Sequence, residues 1–527
     1  MTPPASVPLG AGTFADAAPL TAFLLVISLT LLLCLLLGAN SHGIEDMYAS
    51  GHSVRPWTNA LALTGDSISV ITLLSTTGLV ALAAYDGTIL AAATAGALGF
   101  LLVLARPLRD AGRFTLGDTL DARFADRGIR VAATAATLCV CLPLAVVQLT
   151  AAGRATAALV GMEGTAWAQW CTIFIGAMTV CAATLTGMRG NTVLQAVKTV
   201  VLFLCMGLLV VVLMARTGWS PDRLLADAAE HSPVPGGYYA PGVAYGTDLA
   251  GRLDLVSLQL TVLLGAAVVP HMIMRVKTAD SGASARRSVV HAIGMVGVFC
   301  VLAVILGLGA SAFGDGQRQG RFDPQSAASL LQLVKTLGAH WGGGLLVAAT
   351  VSAVFLTSLT VVAALTLSAG AALVNDIYAQ RSRSGRVAKG REVRAMRWAI
   401  PAVGVGAVAL SIGAQNWNID FLAQFAVSAA ASAIAPALVF ALFWSRCTRA
   451  GIVWSIYTGL GTTAVLQFFG TAVSGAPGTL FPSADFNWFP LGTTGLVSIP
   501  AGFTAGWVAS RLTSAAPTQG RGAPAQW

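Results

Sequence analysis

Runs of about twenty mostly apolar residues follow one another along almost the whole chain. Each run is long enough for a helix to cross ~30 Å of hydrocarbon, because an α-helix rises ~1.5 Å per residue. Only 10% of the residues are charged, against ~25% in soluble globular domains. The sequence therefore predicts an all-α, multi-spanning protein of the plasma membrane.

The pattern predicts about thirteen transmembrane helices. They lie near residues 19–39, 57–85, 88–105, 131–152, 166–187, 192–215, 252–273, 289–313, 342–373, 398–414, 419–445, 450–471 and 489–511. We expect a single domain over 1–512, with a leading helix at 19–39, a core at 57–445 and trailing helices at 450–511. The tail 513–527 is rich in Pro, Gly, Ala and Gln and is predicted to be disordered and cytoplasmic.

Lys and Arg are concentrated in alternate loops, at 106–130, 275–287 and 381–397, whereas residues 1–18 contain none. Because positively charged loops stay in the cytoplasm, the N-terminus is predicted outside and the C-terminus inside. The net charge of +9 then reflects topology and attraction to anionic lipid rather than a nucleic-acid surface. We expect the lipid bilayer as a partner and no obligatory protein partner.

A single carboxylate, Asp66, lies about nine residues into the second predicted span. This depth is near the bilayer centre, where an Asp costs ~3 kcal/mol. Its neighbours are Gly and short hydroxyl residues, which weaken a helix, so we expect a break there. Freed carbonyls suit a cation and a new helix N-terminus suits an anion. The alternative is that Asp66 is a protonated packing residue bonded to a neighbouring helix.

A second break is predicted where Gly265 and Pro270 interrupt an apolar span and His271 follows at once. The two breaks are five spans apart, which fits a five-plus-five inverted repeat with a binding site at mid-membrane. Under the alternative interpretation, His271 is an interfacial residue.

Further polar side chains lie within predicted spans. Thr357 and Thr360 share one helical face with Ala364 and Ser368, which suits either a cation shell or packing between membrane helices. Gln148 lies late in its span. Lys198 lies near the inner end of another, together with Gln195; it can snorkel to the interface, which is favoured over a functional role. Residues 327–337 have a short amphipathic pattern that predicts a helix on the membrane surface.

Several local strings occur in one order along the chain. They are Gly51-His-Ser-Val-Arg-Pro-Trp57, Gly65-Asp66-x-Ile68-Ser69, Tyr85-Asp86-Gly87, Arg113-Phe-Thr-Leu-Gly-Asp-Thr-Leu-Asp-Ala-Arg-Phe124, Gln195-x-x-Lys198, Pro270-His-x-x-Met-Arg275 and Asn375-Asp-Ile-Tyr378. Together, over roughly 20–510, the chain resembles the sodium/solute symporter family, in its acetate permease branch of cation/acetate or monocarboxylate symporters. The resemblance implies the leucine-transporter fold with one extra leading helix and two trailing ones.

The resemblance also implies a cation site. In the family, sodium is bound by main-chain carbonyls, here those of Gly65 and Ile68, and by a carbonyl and two hydroxyls on a later helix, here at Thr357, Thr360 and Val361. The side chain of Val361 offers no ligand oxygen, which weakens the sodium site. The coupling ion is therefore either sodium or a proton. Asp66 is then expected to be a proton carrier or a compensating charge.

The branch implies import of a small monocarboxylate, such as acetate, propionate or pyruvate, by cation-coupled alternating access. Sugar-transporting relatives have an amide side chain where this chain has Thr72, and small neighbours favour a small substrate. The predicted substrate contacts are Ser67, Ser69, Thr72, Gln148 and His271. No nucleophile–base pair or metal cluster stands out, so neither an enzyme nor a cofactor is expected. The alternatives are symport of another small solute, such as proline or pantothenate, and a transporter-like membrane sensor.

Overall fold

The computed structural model of the chain consists of helices and connecting loops. It describes residues 14–38, 44–50, 54–161, 164–234, 236–314, 328–338, 343–381, 388–416, 420–475, 479–481 and 483–514. The segment predicted as a disordered tail lies outside the described residues from position 515 onward.

The described residues form nineteen α-helices. In chain order they are α1 (Phe14–Gly38), α2 (Ile44–Ala49), α3 (Pro56–Ser67), α4 (Val70–Leu82), α5 (Ala84–Asp110), α6 (Leu116–Asp121), α7 (Arg127–Val160), α8 (Thr165–Arg216), α9 (Pro221–Glu230), α10 (Leu249–Gly265), α11 (Pro270–Val276), α12 (Gly282–Ala312), α13 (Ala328–Gly338), α14 (Gly343–Ala371), α15 (Lys389–Gly413), α16 (Asp420–Ala429), α17 (Ala435–Phe443), α18 (Arg449–Phe468) and α19 (Gly495–Thr513). Short π-helical turns continue α14 over Ala372–Tyr378 and join α16 to α17 over Ala430–Ile434.

Eight of the described helices are long and apolar enough to cross a membrane, and the bent pair of α3 and α4 makes a ninth span. The longest, α8, has 52 residues and a non-helical main chain at Gly187. A straight helix of that length would be more than twice as long as the hydrocarbon is thick, so α8 is two helices joined at Gly187. Helices occupy each of the predicted segments, while the total of thirteen spans and the outward N-terminus stay predictions.

Both predicted helix breaks are present. The first helix, α3, ends at Ser67 and α4 begins at Val70, with a bend of 60° between them. The second break follows α10, which ends at Gly265, passes through a 3₁₀ turn at Ala266–Val268 and resumes as α11 at Pro270. Proline suits a first helical position because its missing N–H would have no partner there. The two broken helices contact each other through α3 and α11.

The most enclosed of the candidate spans is α14, of which 83% of the apolar window is buried. It packs against α7 and α8 and is rich in small and hydroxyl side chains, which allow membrane helices to approach closely. Residues on every face of α14 therefore meet protein, and Thr357 and Thr360 are fully buried.

The amphipathic helix predicted at 327–337 is present as α13, but its surroundings differ from the prediction. Its apolar side chains Leu330, Leu331, Val334 and Leu337 are buried within the protein, where α13 contacts α12 and α14. The face expected to enter lipid is therefore already covered by the bundle.

A buried carboxylate, Asp86 at the start of α5, holds the loop that follows α9. Its two oxygens accept hydrogen bonds from the main-chain N–H groups of Gly242 (2.9 Å) and Ala244 (2.8 Å). In the same loop, the Tyr238 hydroxyl donates to the Val80 carbonyl at 2.7 Å. Asp86 is 0% exposed, so these main-chain donors supply its solvation.

We expect Asp86→Ala to destabilise the protein by about 2–4 kcal/mol, because two half-buried main-chain N–H groups lose a charged acceptor. The measurement is the midpoint of thermal unfolding of the purified protein in detergent. Asp222→Ala, on the exposed first turn of α9, removes the same group and should change the midpoint little. Equal midpoints for the two variants would show that other contacts hold the loop.

Candidate functional site

Both broken helices border one cavity of about 140 Å³. All the residues predicted to contact the substrate line it, namely Ser67, Ser69, Thr72, Gln148 and His271. Asp66 and Val361 line it as well, and most of the remaining wall is apolar side chains from α5, α7, α14 and α16. The fold thus brings together residues that are far apart in the sequence, from Asp66 on α3 to Val427 on α16.

Polar side chains cap the start of α4, where it borders the cavity. The Gln148 side-chain oxygen accepts a hydrogen bond from the Val70 N–H at 3.1 Å, and the Ser69 hydroxyl accepts one from the Thr72 N–H at 3.0 Å. The Ser69 and Thr72 hydroxyls also bond each other at 2.9 Å. The start of a helix carries a partial positive charge, so this wall of the cavity favours an anion.

On the opposite break, His271 is the second residue of α11 and is 5% exposed. It is therefore enclosed by protein, and its depth in the membrane stays a prediction. Its Nδ1 atom has no hydrogen-bond partner within the described part of the chain. Buried polar groups are normally paired, so this nitrogen is available to a molecule in the cavity.

Asp66 forms a buried ion pair that joins the two broken helices. Arg275 Nε, on α11, donates to Asp66 Oδ2 at 2.6 Å, and both side chains are 0% exposed. Gln195 Nε2, on α8, donates to the other carboxylate oxygen at 2.5 Å. The carboxylate therefore has a charged partner and an amide partner, and both lie on other helices.

Arg275 extends this contact to α8 and α14. Its Nη1 atom donates to the Thr192 hydroxyl at 2.5 Å. With the Asn191 amide in the orientation that satisfies both of its ends, Asn191 accepts from Arg275 Nη2 at 3.1 Å and donates to the Thr360 carbonyl at 3.2 Å. A single guanidinium thus connects the first broken helix with both helices that pack beside it.

The Lys198 ammonium lies at the two main-chain oxygens that the family resemblance assigns to a cation. Its Nζ atom donates to the Gly65 carbonyl and, at 2.5 Å, to the Ile68 carbonyl. Lys198 is 1% exposed, so the expectation that it snorkels to the interface is wrong. In this conformation a side-chain nitrogen of the protein occupies the position predicted for sodium at these oxygens.

The hydroxyls predicted to complete the cation site lie on α14, and the two differ in their hydrogen bonds. The Thr360 hydroxyl donates within its own helix to the Leu356 carbonyl at 2.8 Å. The Thr357 hydroxyl is buried and has no hydrogen-bond partner among the described residues. Val361 faces the same cavity as Asp66, so the departure from the family pattern falls at the site itself.

A second cluster of charged side chains lies outside the residues that line the cavity, where α6 meets α7 and the end of α14. Arg130 contacts three carboxylates, Asp118 at 2.8 Å, Asp121 at 2.6 Å and Asp376 at 3.4 Å. Burial opposes the charge on Asp118, but the guanidinium beside it holds the pKa of Asp118 below its usual value. The cluster joins the loop that contains α6 to the π-helical end of α14, which brings two of the quoted sequence strings together.

The site residues predicted from the sequence did not include Gln195, Lys198 or Arg275. The sequence nevertheless marked these residues, since each is polar, each lies in or next to an apolar segment, and each belongs to one of the sequence strings that carry the family resemblance. Their partners lie about 130 to 209 positions away in the chain, and only the packing of α3 against α8 and α11 reveals them.

Three solved structures are similar in fold. A Na⁺-coupled sialic acid symporter, in a substrate-bound outward-open state, matches with a TM-score of 0.73 and 12% identity over 94% of this chain and 98% of that chain. Mhp1, a nucleobase-cation-symport-1 family transporter, matches at 0.54 with 14% identity, over 89% and 94% of the two chains. MhsT in complex with L-phenylalanine matches at 0.52 with 13% identity, over 87% and 99%. These likenesses show the leucine-transporter type of fold.

Two broken helices that border one cavity are typical of secondary transporters. The model of the sodium:solute symporter family matches residues 47–459. A monocarboxylic acid transporter of Corynebacterium glutamicum is 33% identical over 93% of this chain and 90% of its own length. The uncharacterized symporter YwcA of Bacillus subtilis is 32% identical, over 94% and 95%.

The chain belongs to the sodium:solute symporter family. It is therefore a cation-coupled symporter for a small molecule and an integral protein of the plasma membrane, and it is not an enzyme.

Asp66→Asn and Arg275→Gln should each destabilise the protein by about 3–5 kcal/mol, because each leaves a buried charge without its partner. The double variant should recover part of that loss, since it removes both charges. The measurement is the thermal midpoint of each purified variant, together with its amount in the membrane.

The matched control is the exposed ion pair of Arg113 and Glu45, in which both side chains are about half exposed. Arg113→Gln and Glu45→Gln should each change stability by less than about 1 kcal/mol. If the effects of Asp66→Asn and Arg275→Gln simply added in the double variant, the two side chains would not be energetically coupled.

Proposed function

We propose that the protein is a proton-coupled symporter that imports small monocarboxylates, with Lys198 as the proton carrier. The observation that carries the proposal is the Lys198 ammonium at the Gly65 and Ile68 carbonyls, where the family resemblance places sodium.

The volume of the cavity supports a small substrate. A cavity of ~150 Å³ accommodates benzene, which has six carbon atoms, and the cavity here is about 140 Å³. Acetate, propionate and pyruvate have four, five and six non-hydrogen atoms. Proline and pantothenate are larger, and this favours the monocarboxylates over those alternatives. The relative from Corynebacterium glutamicum is itself named a monocarboxylic acid transporter.

The polar groups of the cavity support a carboxylate. The start of α4 offers a positive dipole end, and His271 offers a ring nitrogen without a partner in the described chain. The apolar wall, which includes Ala97 and Leu98, suits the short carbon chain. In this arrangement the carboxylate lies toward Ser69, Thr72 and His271.

Charge balance explains how proton and anion become coupled. Asp66 and Arg275 neutralise each other, so the protonated Lys198 leaves one positive charge beside the cavity. A bound monocarboxylate cancels this charge. The site is then neutral when it holds both proton and anion, and neutral again when both have left. Because a net charge at mid-membrane is costly, the two neutral states change conformation most easily and the half-loaded states do not.

Proton release also alters the first broken helix. A neutral amine has two N–H groups and no charge, so it binds the Gly65 and Ile68 carbonyls less strongly than an ammonium does. The oxygens freed at the break then need another partner, such as water from an open cavity. We therefore expect loss of the proton to favour the conformation that opens this break.

The test uses proteoliposomes and labelled pyruvate, which leaks less as the free acid than acetate does. We expect accumulation to follow an imposed pH gradient and to be unchanged when sodium is replaced by choline. Lys198→Gln, which cannot carry a proton, should lose accumulation by at least tenfold. The amount of protein in the liposomes and the rate in protein-free liposomes are the controls.

Steep dependence on sodium at a fixed pH gradient would overturn the proton assignment, and Lys198 would then be a structural partner of the break. A potassium-diffusion potential supplies a further arm of the experiment. One proton and one monovalent anion carry no net charge, so a voltage alone should drive no accumulation. Accumulation by voltage alone would mean that at least two cations accompany each anion.

Reducing the cavity should discriminate between substrates. Ala423 lines the cavity, and Ala423→Leu should reduce uptake of pyruvate relative to acetate by about tenfold, because overfilling a packed site costs ~1–3 kcal/mol. Ala92→Leu, at an exposed position of α5, is the matched control and should leave the ratio unchanged. An unchanged ratio in Ala423→Leu would place the substrate elsewhere.

A further inference from the structure

A second cleft, of about 500 Å³, lies on the outer surface of the bundle between the end of α5 and the first turns of α12. It differs in chemistry from the cavity between the broken helices, because it is lined mainly by basic side chains. The lining residues are Arg106, Ala283, Arg286, Arg287, Val290 and His291.

The cleft has an excess of positive charge. Arg106 contributes a guanidinium from α5, and Arg286 and Arg287 contribute two from α12. The acidic contact described for this group is Asp110, which is 3.9 Å from Arg106 with both side chains well exposed, and such a pair is weak. Within the described chain, Arg286 and Arg287 form no ion pair. Three guanidinium groups thus face one carboxylate.

The surroundings of the cleft are those of a membrane interface. Val103 on α5 is 61% exposed and Val290 on α12 is 51% exposed, each about one turn from an arginine of the cleft. Val298, two further turns along α12, is 52% exposed. These valines are each more than half exposed and extend from the cleft toward the middle of the helices, as a lipid-facing surface does.

An aromatic pair, Trp57 and His291, lies at the cleft. Trp57, at the start of α3, is 58% exposed, and its ring meets His291 edge to face with centroids 5.4 Å apart. Exposed Trp residues concentrate where hydrocarbon meets the headgroup layer. The basic cleft is therefore at headgroup depth, with an apolar surface directly below it.

We propose that this cleft binds the headgroup of an anionic phospholipid. Arg106, Arg286 and Arg287 bind the phosphate, since guanidinium groups match phosphate oxygens in geometry as well as in charge. One acyl chain lies along Val290 and Val298. Basic pockets between membrane helices bind anionic headgroups in this way.

A free phosphate ion shares the charged part of this chemistry, but it makes no use of the apolar surface that adjoins the cleft. The exposed valines and Trp57 therefore favour the lipid. Because the cleft joins α5 to α12, and α12 packs against α3 and α4, the lipid stabilises the side of the bundle that holds the first broken helix.

The test measures binding of a fluorescent phosphatidylglycerol by the full-length protein in neutral detergent micelles. Wild type should bind it more tightly than the phosphatidylcholine analogue with the same chains. The double variant R286Q/R287Q should weaken phosphatidylglycerol binding by about 25-fold, at about fivefold for each arginine. Arg106→Gln alone should weaken it about fivefold, which keeps the test valid if the double variant misfolds.

The matched control is R394Q/R397Q, which removes two exposed arginines from the start of α15. It lowers the net charge equally and should leave binding unchanged. Equal loss in both double variants, or equal binding of the two lipids by wild type, would overturn the proposal. Inorganic phosphate at millimolar concentration should not displace the lipid. Displacement at that concentration would identify a site for a soluble anion and would also overturn it.

Discussion

A helix that stops in the middle of a membrane leaves main-chain oxygens that lipid cannot satisfy, and the rest of this site depends on how that need is met. At the end of α3 the need is met by Lys198, whose ammonium donates to the Gly65 and Ile68 carbonyls. A buried ammonium in turn needs compensation nearby. Asp66 is already paired with Arg275, so in the proposed mechanism this compensation comes from the substrate carboxylate, and the break, the lysine and the ion pair act as one unit.

This unit links structure to transport through electrical neutrality. In a medium of low dielectric constant the cost of an unbalanced charge is several kcal/mol, which is larger than the energy that separates many conformations. A site that is neutral only when full or empty therefore couples its two cargoes without any direct contact between them. In the proposed mechanism the proton on Lys198 and the substrate carboxylate are coupled in this way, and the position of sodium in the family is taken by a side chain.

Two other charged regions stabilise the bundle from outside the cavity. Around Arg130, carboxylates from the α6 loop meet Asp376 at the end of α14, which ties the most enclosed helix to a surface loop. Arg286 and Arg287 have no ion pair with a carboxylate of the described residues and line an open cleft instead. The contrast supports different roles, because Arg130 is paired with carboxylates of the protein, whereas the second group is open to an anion from the membrane.

The sequence by itself determined the class of protein, the positions of both helix breaks and several of the polar residues that line the cavity, such as Ser69, Thr72 and Gln148. Apolar length, Gly and Pro placement and a lone carboxylate are local features, and local features are what hydrophobicity and helix propensity report. Only the tertiary structure decided which of these side chains contact each other. Lys198 was expected at the interface and is buried at Gly65 and Ile68, and Arg275 was given no role although it neutralises Asp66. Such contacts join helices more than a hundred residues apart, and their geometry depends on how whole helices pack, which no local pattern encodes.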